Sequence, residues 1–187
     1  MKIITWNSRG IRHTPFRREC KELLKMQKPD VICFVETKAD EESSGIPFMS
    51  RFGFDKQHKV PSHGHAGGLW LFWKSSLVNL EVIYCTGQFI HCSLQQQRLS
   101  FLLTFAYVQP HEVMKAEFWS SLATLASSID NSWFVMGDLN DIATVDEASP
   151  RASSRFSRAQ RFRDRLNSCG LFSKDSLGCA RLMVELC

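Results

Sequence analysis

The run Val31-Ile32-Cys33-Phe34-Val35 limits the fold more than any other stretch, because five consecutive apolar residues leave no polar face to turn toward water. A strand of this kind belongs inside a sheet that is covered on both sides. Glu36 stands at its end. Upstream, Lys2-Ile3-Ile4-Thr5-Trp6 is β-branched and aromatic and predicts a buried strand ending at Asn7. Between the two, Thr14-Pro15 predicts a helix start with Thr14 as cap, and Phe16, Cys20, Leu23 and Leu24 form one apolar stripe that Pro29 terminates. Strand, helix and strand within about 36 residues make a crossover unit whose two strand ends, Asn7 and Glu36, open at the same edge.

The rest of the chain supplies further strands and two helices. Residues 39–65 are polar and irregular, with a short strand near 54–60; Gly67-Gly68 then leads into the strand Leu69–Trp73. Residues 80–84 and 89–94 predict a hairpin around Thr86-Gly87. Residues 98–108 carry Phe101, Leu103, Phe105 and Tyr107 on one face and a second apolar face behind it, which marks an internal strand. Phe118, Leu122, Leu125 and Ile129 recur at helical spacing within 112–129, with Trp119 beside them. Ser132 to Asn140 is an apolar strand broken by Gly137, and the period of two puts Asp138 and Asn140 on one side. A carboxylate can hold a metal or a water, and a carboxamide donates and accepts hydrogen bonds without adding charge. The same Gly-Asp-Leu-Asn is also an ordinary strand-to-turn ending. A last helix over 155–169 turns Ala159, Phe162, Leu166 and Cys169 inward and sets Arg155, Arg158, Arg161 and Arg165 on a neighbouring face, either a solvated surface or a track for nucleic-acid phosphates.

A chain of 187 residues predicts one domain, able to bury roughly 70% of its unfolded surface. The net charge of +4 permits nucleic-acid binding without requiring it. Seven cysteines form no Cys-x-x-Cys pair, which argues against zinc and a disulfide framework and for a reducing, intracellular compartment, nuclear or cytoplasmic. No signal-peptide core or membrane-length apolar run is present in the sequence, and no obligate protein partner is indicated. His63-Gly64-His65 lacks a carboxylate or thiol companion and reads as a loop pair rather than a metal site.

Taken together, Ile-Ile-Thr-Trp-Asn-Ser-Arg-Gly at the N-terminus, Pro29 to Lys38, Gly67 to Lys74, Ala106-Tyr107-Val108-Gln109-Pro110 and Phe134 to Asn140 resemble the endonuclease/exonuclease/phosphatase superfamily, and in detail the endonuclease domain of plant non-LTR (LINE-type) retrotransposons. The resemblance implies an α/β (α+β) fold, a four-layered αββα sandwich of two mixed β-sheets, with a metal-dependent phosphodiesterase cleft at the strand ends. It implies that Glu36 holds Mg²⁺, or Mn²⁺ as a substitute, with Asn7 beside it. Asp138 would orient or deprotonate the attacking water, Asn140 would stabilise charge developing on phosphorus, and Tyr107 would hydrogen-bond the phosphate. DNA is the implied partner. Each residue also has a plainer role open to it: Asn7 as a turn cap, Glu36 as a solvated strand end, Tyr107 as a core ring with its hydroxyl at the rim.

Two small departures, Ser8 in place of Cys and Leu139 in place of Phe, are compatible with the pattern. A larger one is that the family closes with a Ser-Asp-His triplet, whereas the histidines here, at 13, 58, 63, 65, 91 and 111, are none of them preceded by Asp. The resemblance dissolves near Gly178, so residues 1–178 are expected to form the domain and 179–187 a divergent C-terminal tail, read out of frame or through a lost splice junction. The second sheet is then expected to be incomplete and the DNA-nicking activity weak or absent. The alternatives are a phosphatase of the same superfamily and a non-catalytic nucleic-acid-binding remnant.

Overall fold

The computed structural model describes residues 1–40, 46–63, 66–142 and 155–172. The expected crossover is present: β1 (Ile3–Asn7), α1 (Phe16–Gln27) and β2 (Val31–Val35), with β1 and β2 parallel and Asn7 opposite Val35. β2 is buried at all five positions, as an uninterrupted apolar run requires. β1 departs from expectation. It is half-buried throughout, because among the described residues it pairs only with β2 and forms the edge of its sheet. Thr14 does not cap α1 either. Pro15 occupies the cap position, its carbonyl accepts from the N–H groups of Arg18 and Glu19, and no side chain bonds into the first turn. Phe16, Cys20 and Leu24 are nevertheless the buried stripe.

After a 3-10 turn at Met49–Phe52, the strands β3 (Lys56–His63) and β4 (Ala66–Trp73) complete the first sheet in the order β1-β2-β4-β3. The second sheet, β5-β6-β7-β8, consists of β5 (Asn79–Cys85), β6 (Phe89–Gln96), β7 (Leu99–Tyr107) and β8 (Trp133–Asp138). It repeats the plan of the first. Its outer pair β7 and β8 is parallel, and α2 (Glu112–Ala126) lies between them in the chain. Both sheets have four strands among the described residues. Residues 173–187, on which the expectation of an incomplete sheet and a divergent tail rests, lie outside the description, as do Gly64, His65 and the side chain of His63.

Three apolar layers join these elements into an αββα sandwich. Val31, Cys33 and Val35 meet Ile90, Cys92, Phe105 and Tyr107 between the sheets. Phe16, Cys20 and Leu24 pack on Ile32, Phe34 and Trp70 behind the first sheet. Phe118, Leu122, Phe162 and Leu166, from α2 and α3 (Arg155–Ser168), pack on Phe89, Trp133 and Val135 behind the second. The strand alternation read in 98–108 thus holds: Leu103, Phe105 and Tyr107 face the other sheet while Ala106 faces the helices. Cys20, Cys33, Cys92 and Cys169 are buried and free, Cys85 is exposed and free, and burial pushes the Cys20 thiol up to about 12, which makes it a packing residue rather than a nucleophile. No described helix is long and apolar enough to cross a membrane.

Candidate active site

Two parallel strand pairs finish side by side, and their C-terminal ends carry the polar groups. β1 ends at Asn7 and β2 runs into Glu36; β7 ends at Tyr107 and β8 at Asp138, which are register partners. At these ends a side-chain hydrogen bond joins the two halves: Asn7 Nδ2 donates to Asp138 Oδ2 at 2.7 Å across 131 residues of sequence. The other oxygen of the carboxylate, Oδ1, accepts from the backbone N–H of Asn140 at 3.0 Å. Asp138 is therefore held from both sides.

Asn140 reaches the site by a different route from the one strand alternation predicts. β8 stops at Asp138, and Asn140 has φ +49°, so the chain has already turned. The Asp138 side chain closes that turn through the Asn140 N–H, a local bond that Asp makes readily. Asn140 Nδ2 donates to the Val108 carbonyl at 2.7 Å and thereby points back at the end of β7. Gly137 is required one step earlier. Its φ is +145°, and a Cβ there would lie 1.9 Å from the Ala106 carbonyl oxygen, so only glycine lets β8 approach β7 closely enough to complete the parallel ladder.

Backbone contacts shape the other half. Glu36 also has a left-handed φ, +55°, and its carbonyl accepts from the Gly10 N–H at 2.8 Å. Buried Ser8 donates through Oγ to the Val35 carbonyl at 3.0 Å, tying the end of β1 to the end of β2. The Glu36 carboxylate meets Lys38 Nζ at 3.0 Å, and Asn7 Oδ1 accepts the Arg9 N–H at 3.0 Å.

Tyr107 reports the electrostatics of the site. Burial, then the nearby carboxylates of Glu36 and Asp138, push its phenol up to about 12, while hydrogen bonding with Asn140 acts in the opposite direction. The hydroxyl thus lies within electrostatic reach of both carboxylates and stays protonated as a donor. All five expected residues, Asn7, Glu36, Tyr107, Asp138 and Asn140, are brought together.

The donors available to a cation are carboxylate and carboxamide oxygens, the chemistry of a hard ion such as Mg²⁺. Among the described residues no group of three His, Cys, Asp or Glu side chains converges. The set therefore suits an ion that keeps several waters and takes further oxygens from a phosphate, rather than one caged wholly by protein.

The arginine face of α3 divides. Arg158 and Arg165 approach the buried Asp141 carboxylate at 3.5 Å each, and Arg165 also meets Glu112 at 3.4 Å. Arg161 is exposed, and the side chain of Arg155 lies outside the description. Three residues near the site were not singled out from sequence: Lys38, Lys115 and Asp141. Lys115 carried a signal, since it stands three and four residues before Phe118 and Trp119 on the inward stripe of α2.

Comparison with solved structures supports the architecture. The AP endonuclease from Leishmania major superposes with a TM-score of 0.65 at 16% identity, over 89% of this chain and 66% of that one. An AP endonuclease from Archaeoglobus fulgidus gives 0.60 at 18% identity, over 88% of this chain and 70% of that one. The 3′-5′ exonuclease from Neisseria meningitidis gives 0.63 at 17% identity, over 90% and 71%. The chain thus spans about two thirds of the length of these proteins, and at such identities the likeness establishes the fold. No curated protein sequence matches the chain. The family model described as "Endonuclease/Exonuclease/phosphatase family" matches residues 4–178, and the chain belongs to that family.

Proposed function

We propose that the strand-end site hydrolyses phosphodiester bonds of DNA with a divalent cation, and that the domain descends from a LINE-type retrotransposon endonuclease and is slow as it stands. The observation that carries this reading is the 2.7 Å bond from Asn7 to Asp138, which joins the ends of two different sheets into one polar cluster beside a protonated phenol. Glu36, with Asn7 beside it, would hold Mg²⁺ or Mn²⁺, which supplies positive charge to a phosphate oxygen and eases the approach of an anionic nucleophile. Asp138 is oriented by its two donors to take up the proton of the attacking water. Tyr107 donates to a phosphate oxygen, and Asn140 supports charge developing on phosphorus. Of the arginines read as a phosphate track, Arg161 is exposed and would meet a DNA phosphate, whereas Arg158 and Arg165 are engaged with Asp141.

The test is incubation of the purified chain with supercoiled plasmid and Mg²⁺ or Mn²⁺, beside Asp138→Asn and beside a soluble phosphomonoester. The expected result is slow nicking that falls at least about 10²-fold in the variant, with little phosphate released from the monoester. Faster turnover of the monoester would move the reading to a phosphatase. No nicking with either ion, or nicking equal in both proteins, would leave at most a nucleic-acid-binding module.

A further inference from the structure

Beneath the Asn140 turn lies a buried charge cluster that the proposed chemistry does not use. Lys115 is 3% exposed, on the same inward face of α2 as Phe118, Trp119 and Leu122. Its Nζ donates to the Asn140 carbonyl at 2.7 Å and to Asp141 Oδ2 at 3.1 Å. The Asp141 side chain is 4% exposed and also faces Arg158 and Arg165 from α3. Its Oδ1 accepts the Ile142 N–H at 3.2 Å, so both carboxylate oxygens are occupied.

A buried lysine and its carboxylate call for a reason, because apolar side chains in place of the whole pair fill such a site as well or better for stability. What an ammonium adds is direction: it fixes where a carbonyl points. Here the carbonyl belongs to Asn140, whose φ is left-handed, whose N–H holds Asp138 Oδ1 and whose side chain holds the Val108 carbonyl. One lysine thus grips the residue through which the carboxylate and the end of β7 are aligned. α3 contributes at one remove, by holding Asp141 against that lysine.

We infer that Lys115 is a positioning residue for the hydrolytic site: by binding the Asn140 carbonyl and the Asp141 carboxylate it locks the left-handed turn and fixes both Asp138 and Asn140. The inference rests on the hydrolytic reading for its consequence but not for its geometry. Amide signals of the full chain, followed by ¹H–¹⁵N NMR in wild type, Lys115→Met and Lys115→Arg, separate the two. The backbone and side-chain amides of Asn140 are expected to shift or broaden in Lys115→Met and to return toward their wild-type positions in Lys115→Arg. Nicking kcat should fall about 10²-fold in Lys115→Met with KM unchanged, and recover in Lys115→Arg, because a small misplacement of reacting groups costs that much. Asn140 signals that stay in place in Lys115→Met, with only thermal stability lost, overturn the inference. If wild type does not nick, the hydrolytic reading falls, and the Asn140 signals still decide for or against Lys115. Should Lys115→Met not fold, Arg158→Gln at its half-exposed position takes over: a smaller shift of the same signals is expected, and unmoved signals overturn the coupling.

Discussion

The two crossover units, β1-α1-β2 and β7-α2-β8, have the same plan and deliver polar groups to the same place, yet they hold them differently. In the first, backbone groups hold Glu36 and its surroundings: Ser8 N–H to Val35, Gly10 N–H to Glu36, and Thr37 N–H to Gly68 at 3.1 Å. Its ion pairs nearest the site are more open, with Arg12–Asp40 exposed at both ends and Lys38–Glu36 partly so. In the second, Asp138 and Asn140 sit over the Lys115–Asp141 pair, whose side chains are 3% and 4% exposed. Backbone bonds tie both strand ends, Val108 N–H to Asp138 at 2.9 Å among them, but among the described residues the second unit adds a lysine–carboxylate pair buried at both ends beneath its site. Substitutions of side chains should be felt mainly in the second half.

Matched lysine replacements give the largest expected contrast. Lys115→Met should lower the unfolding free energy by about 3 kcal/mol, because it leaves the buried Asp141 carboxylate with the Ile142 N–H and the longer contacts to Arg158 and Arg165 but without its closest cation. Lys38→Met should change it by no more than about 1 kcal/mol, since Lys38 is exposed and its pair with Glu36 is open to solvent on that side. Urea unfolding curves of the two variants measure both. Equal losses would show that the halves are held by the same means.

Acid should produce a graded effect, to which the second half contributes through His91. His91 is buried behind the second sheet, with Nδ1 2.8 Å from Thr104 Oγ1, which also accepts from Trp133 Nε1 at 2.8 Å. Burial lowers the imidazole from 6.5 to about 4. The unfolded chain therefore binds a proton that the folded chain does not between those values. This group leaves stability intact above about pH 6.5 and erodes it as pH falls toward about 4, by about 1.4 kcal/mol per pH unit. His91→Phe, which keeps a ring, should flatten that slope in unfolding measurements from pH 7.5 to 4.5. Burial lowers His58 in the first sheet as well, so only the His91→Phe difference isolates the second half. A slope unchanged by the substitution would remove the acid-sensitivity from this network.

What could be read from sequence follows the same division. β2 was legible because five apolar residues in a row admit one environment, and the inward face of α3 because Ala159, Phe162, Leu166 and Cys169 keep helical spacing. The five site residues were legible as strand endings, together with the resemblance that ordered them. Asn140 arrived by a turn rather than by strand alternation, since an Asp side chain can close on the N–H two residues ahead as easily as the strand can continue. Asp141 read as one more polar residue after that turn, and the arginines of α3 as a surface stripe. Neither shows its partner until Lys115 and Asp141, 26 residues apart, are brought into contact by the packing of α2 on the sheet. The burial of β1 was misread because an edge strand and a central one can share the same β-branched composition.

The central claim is that the two differently held halves form a single site through Asn7 and Asp138. A double-mutant cycle on plasmid nicking tests it directly, with Asn7→Ala, Asp138→Ala and the double variant compared by kcat/KM. The account predicts that each single change costs about 10²–10⁴-fold and that the double variant is no worse than the poorer single one. Losses that multiply in the double variant would contradict it, because two groups acting independently on the substrate would not depend on the bond between them.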